Sequence, residues 1–127
     1  DPSVEALQAL TAYDEPVYLH QVVAQTQAGQ LLRFEDLPEA LRHVEARRAA
    51  EWRVHFHVPL YHTDLGAFTN TQPFLARVLE RQKRAVVSSQ LEVETYTWDV
   101  LPPERRTGSV VASIARELGW VSDRLGS

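Results

Sequence analysis

The stretch Trp52-Arg53-Val54-His55-Phe56-His57-Val58-Pro59-Leu60 alternates apolar and polar residues. In an extended strand a period of two sends Trp52, Val54, Phe56, Val58 and Leu60 to one face, and Arg53, His55 and His57 to the other. Such a strand must lay its apolar face on a second layer, which restricts the chain to folds with a sheet packed on a core. Pro59 has no N–H to donate and should end ladder pairing there. The chain has 127 residues, 44% hydrophobic and 24% charged, enough material for one core of this kind.

The remaining segments alternate strand and helix patterns, which predicts an α/β chain. A first helix is expected from Pro2 to Ala12, with Asp1 as its N-cap and Val4, Leu7 and Leu10 on one face. Asp14-Glu15-Pro16 should end it. A hairpin follows, with Val17–Thr26 and Leu31–Phe34 as strands and Gln27-Ala28-Gly29-Gln30 as the turn. Asp36 and Glu39 resemble a capping box at the start of a second helix expected to reach Ala50. After a loop over Tyr61–Asn70, Thr71 should cap a third helix, with Phe74, Leu75, Val78 and Leu79 as its apolar stripe. Leu91–Thr97 reads as the last strand. A final helix from Ser109 to Leu125 carries Val110, Val111, Ile114, Ala115, Leu118 and Val121 at helical spacing. Strand 52–60, the third helix and strand 91–97 together predict a βαβ unit with parallel strands. Function in such units sits where the strands end.

His55 and His57 share one strand face, and Glu92 and Glu94 share a face of the next strand. Imidazole and carboxylate are the usual ligands of Zn, Mn or Co, with Mg also served by carboxylates, and they are the usual proton-transfer pair. A polar strand face is equally satisfied as a solvated face or an ion-pair layer. The following loop adds His62 and Asp64, a substrate or metal loop or simply an exposed one. Tyr96 and Trp98 continue the Glu92/Glu94 face and are candidates for a substrate pocket, or ordinary core aromatics. The pairs Arg47-Arg48 and Arg105-Arg106 have the chemistry to hold phosphate, but acidic neighbours favour solvated surface charge.

A net charge of −4 gives no global basic field, so nucleic acid is not an expected partner. There is no phosphate-cradling glycine loop and no nucleophile elbow. The absence of cysteine excludes disulfides, thiolate ligands and a cysteine nucleophile. No apolar run reaches the ~18–20 residues of a membrane span, and no signal peptide is visible, so the expected location is cytoplasmic. The chain begins Asp1-Pro2-Ser3 and contains no Met, which reads as a processed or truncated product.

Three segments carry a family resemblance: Tyr18-Leu19-His20-Gln21-Val22, Trp52 to Pro59, and Leu91-Glu92-Val93-Glu94-Thr95-Tyr96-Thr97-Trp98. With the terminal Ile114-Ala115-Arg116-Glu117-Leu118, they resemble the C-terminal part of EboE-type metabolite-traffic proteins, in the xylose isomerase-like TIM-barrel group of sugar phosphate isomerases and epimerases. The resemblance implies that residues 1–127 are a single C-terminal fragment of a larger barrel. Residues 1–50 would hold a helix, a hairpin insertion and a second helix, and residues 51–127 a strand-helix-strand-helix run. It further implies a divalent metal held by His57 and Glu94, with the remaining ligands upstream of Asp1, and Glu94 as a base. The expected ligand is a small polyol or sugar-like metabolite, either converted by an isomerase or epimerase or only bound and carried. Missing barrel strands would leave sheet edges open to pairing with a second copy.

Overall fold

Strand-forming residues on either side of a tight turn make the first sheet contacts. In the computed structural model, which describes residues 2–94, 98–103, 106 and 108–126, β1 (Val22–Gln25) pairs antiparallel with β2 (Leu31–Phe34). Gly29 takes φ +83° in the connecting turn, a conformation that glycine adopts without steric cost. Thr26 closes the turn. Its N–H donates to the Gln30 carbonyl at 2.8 Å, its carbonyl accepts from the Gly29 N–H at 2.9 Å, and its hydroxyl accepts from the Gln30 N–H at 3.1 Å.

β3 (Glu51–Val54) pairs antiparallel with the free edge of β1, so the sheet order is β2-β1-β3. The register sets Val22 opposite Phe34 and Val54, and Ala24 opposite Leu32 and Trp52. These positions share one face of the pleat, and Val22 and Ala24 are fully buried on it.

The chain falls into two compact units, residues 1–56 and 57–127. In the first, α1 (Val4–Leu10) and α2 (Leu37–Arg42) accompany the sheet. Leu7, Leu10, Tyr13, Leu37, Ala40, Ala46 and Ala49 complete its core. The Trp52 indole N–H donates to the Ala46 carbonyl at 2.7 Å, and the Tyr13 and Phe56 rings meet at 4.7 Å. The second unit contains α3 (Gln72–Arg84) packed on α4 (Val110–Leu125). No helix among the described residues is long and apolar enough to cross a membrane.

Several local expectations are corrected. Asp1 lies outside the described residues; α1 begins at Val4, with the Ser3 hydroxyl accepting from the Ala6 N–H at 3.0 Å. α2 stops at Arg42, because His43 turns to extended backbone. A single 3-10 turn, Ala46–Arg48, then lets Ala46 and Ala49 enter the core. At the start of α3 it is the Asn70 side-chain carbonyl, not Thr71, that accepts from the Gln72 N–H, at 3.0 Å.

The larger correction concerns the βαβ unit. The strand at 52–60 ends at Val54, and the next pairing is the His55 N–H donating to the Gln21 carbonyl at 2.9 Å. Residues 91–94 form no strand, and 95–97 lie outside the described residues. Among the described residues the sheet is mixed in with helices as a three-strand antiparallel sheet, with no parallel pair. The hairpin leaves one edge of β1 unpaired, and the chain returns to it through residues 35–50, which carry α2 and the 3-10 turn.

Candidate functional site

The segment after β3 and the loop after α3 bring two of the expected residues together. His57 Nδ1 lies 3.3 Å from Glu94 Oε2, with the imidazole 24% exposed and the carboxylate 60% exposed. The separation is within ion-pair range, and solvent also reaches the carboxylate.

The other candidates are distributed differently. His55 belongs to the first unit and is exposed, its Nδ1 3.1 Å from Gln21 Oε1. Glu92 is exposed. His62 is half-buried, its ring 4.8 Å from that of Tyr61 and its carbonyl accepting from the Asn70 side-chain amide. Asp64 Oδ1 accepts from the Gly66 N–H at 2.8 Å, so one function of Asp64 is to shape a turn in which Gly66 takes φ +76°. Trp98 is half-buried in a 3-10 turn over Trp98–Val100. Tyr96 lies outside the described residues.

The His57–Glu94 pair fits a divalent ion in kind and in spacing. Two donors each about 2.1 Å from one ion stand roughly 3–3.5 Å apart at tetrahedral angles. It does not fit in number: among the described residues no third histidine or carboxylate joins it. On its own the pair is an imidazole–carboxylate contact.

Two buried polar side chains on α4 were not singled out from the sequence. Glu117 on α4 is only 4% exposed and Ser113, one turn earlier, is fully buried. The Leu60 N–H donates to Glu117 Oε1 at 2.9 Å, while Oε2 is buried without a hydrogen-bond partner. Burial pushes the Glu117 carboxyl above the ordinary carboxylate range, and the Leu60 N–H partly holds it back. Ser113 Oγ and the Tyr61 hydroxyl share a hydrogen bond at 2.9 Å, and the Arg116 guanidinium lies 3.6 Å from the centre of the Tyr61 ring. The available signal was the i,i+4 spacing of Ser113 and Glu117, which puts them on one helix face.

In the first unit, buried His20 lies between two carboxylates. Its Nε2 is 3.9 Å from Glu15 Oε1 and its Nδ1 is 3.9 Å from Asp36 Oδ1. Both acids are already engaged by backbone: Glu15 accepts from the Val17 and Tyr18 N–H groups, and Asp36 from those of His20 and Leu37. The Phe56 ring packs 4.9 Å from the imidazole. This cluster ties the entry of β1 to the start of α2.

Comparison with known proteins returns no matching family model, no matching curated protein and no matching solved structure.

Proposed function

We propose that this chain handles a small polyol or sugar-like metabolite through chemistry of the sugar isomerase and epimerase kind, with His57 and Glu94 as its proton-transfer pair. The observation that carries the reading is the 3.3 Å approach of the His57 imidazole to the Glu94 carboxylate, from separate loops of the second unit. Interconverting a hydroxy-aldehyde and a hydroxy-ketone requires a proton to leave the carbon beside the carbonyl and return at its neighbour. Glu94, the more exposed of the two, takes that proton. His57 orients the carboxylate and balances its charge when the ring is protonated. A divalent ion at this pair would need ligands beyond His57 and Glu94.

The barrel assignment that accompanies this reading rests on the resemblance of residues 18–22, 52–59 and 91–98. It draws no support from the sheet, whose described strands are antiparallel.

The test is solvent-deuterium incorporation beside the carbonyl of a panel of aldoses, ketoses and polyol-derived ketones, followed by NMR, with elemental analysis of bound metal. Exchange that falls at least about 100-fold in Glu94→Gln and in His57→Gln supports the reading. Ligand binding without exchange would make the chain a carrier of such a metabolite. Exchange and binding both unchanged in the two variants, with no bound metal, overturn the site.

A further inference from the structure

We propose that the cleft between the β1–β2 turn and the segment following α2 binds a small oxyanion, a phosphate ester or a carboxylate. The cleft is shallow and open to solvent, with a volume of about 730 Å³. Arg42, His43 and Arg48 line it on one side and Gln27 and Gln30 on the other, and Glu45 is the one acidic side chain among its described lining residues. In a chain of net charge −4, neither Arg42 nor Arg48 has an acidic partner among the described residues. Two permanently charged guanidiniums outnumber the single Glu45 carboxylate in this concavity, and neither is within ion-pair distance of it, so both present fork-shaped donors suited to an oxyanion.

The imidazole adds a donor of fixed sense. His43 Nδ1 accepts from the Ala46 N–H at 3.3 Å, so the neutral ring carries its proton on Nε2. The ring is packed 5.1 Å from that of Phe34, which limits its rotation. Both walls are also tied by backbone. The Arg47 N–H donates to the His43 carbonyl and the Arg48 N–H to the Glu45 carbonyl, each at 3.1 Å. Thr26 closes the facing turn through three hydrogen bonds. These bonds fix the backbone from which the Arg42 and Arg48 side chains project, while the guanidiniums themselves are exposed. The Gln27 and Gln30 amides suit a hydroxyl-bearing body attached to the anion. The fold therefore separates the Arg47-Arg48 pair: Arg48 lines the cleft and Arg47 does not. Every residue involved is in the first unit, so this site stands or falls independently of His57 and Glu94.

The test is a titration of the whole ¹⁵N-labelled chain with inorganic phosphate and, separately, with malonate, followed by amide chemical shifts. The expected result is saturable shifts at residues 27–30 and 42–48. Affinity should fall at least about tenfold in Arg42→Gln/Arg48→Gln and fall partly in each single variant. Tighter binding of phosphate assigns the site to phosphate esters, and tighter binding of malonate assigns it to carboxylates. Both arginines are exposed, so the variants should retain the dispersed spectrum of the parent. Shifts that do not saturate, that map elsewhere, or that persist unchanged in any well-dispersed arginine variant overturn the proposal.

Discussion

Glu117 shows how burial governs a single side chain. Its carboxyl is raised by desolvation, so folding favours the protonated form. An acid raised in the folded state contributes fully below the ordinary carboxylate value, about 4.3, and that contribution is lost as pH rises through the raised value. Glu117→Gln keeps a carbonyl for the Leu60 N–H and carries no charge. Thermal melts should therefore lose the part of their pH dependence that lies above the ordinary carboxylate range, and at neutral pH the variant should melt above the parent. A variant that melts lower at neutral pH would mean that the charge is compensated. Tyr61→Phe removes the partner of a fully buried Ser113 hydroxyl, and urea denaturation should register a loss of about 1–2 kcal/mol. His57 and Glu94 were legible as candidates from residue type and period alone. Glu117 was not, because α4 was read through its apolar stripe.

At the scale of elements, local signals succeeded where the backbone satisfies itself. The hairpin's glycine turn and return strand, α3 and α4 lie where turn residues and helical periodicity place them, while its first strand, expected over Val17–Thr26, is confined to Val22–Gln25. Ser109 caps α4, its hydroxyl accepting from the Ala112 N–H at 3.2 Å, and Gly126 ends the helix at φ +77°. Ser109→Ala should cost about 1 kcal/mol in chemical denaturation. Gly29→Ala, forced to keep φ near +83°, should cost roughly 1–2 kcal/mol. Strands behaved differently. A strand needs a neighbour, and the alternation at 52–60 contains no information about where β1 ends. The ladder ends at the Val22–Val54 pair, with one further hydrogen bond from the His55 N–H to the Gln21 carbonyl.

At the scale of the whole molecule, α4 presents Val111 and Leu118 to solvent, 71% and 53% exposed, while Ser113 and Glu117 face inward. Phe74 of α3 is also largely exposed. Replacing Val111 and Leu118 by glutamine should therefore change stability by no more than about 0.5 kcal/mol at each position, where a core stripe would lose several. Calorimetry of the double variant separates the two cases. β2 and β3 are the outer strands of the sheet, each four residues long, and short edges limit strand-to-strand association. Taken by itself, the sequence determined which segments are helical, where the hairpin turns, and which residue types are able to move protons, because propensity, capping and turn chemistry act within a few residues. Only the tertiary structure decided that β3 joins the hairpin rather than a parallel crossover, that His57 meets Glu94, and that α4 buries Ser113 and Glu117. These outcomes depend on which distant surface is available to pair or to pack, and a periodic pattern specifies a face without specifying what covers it.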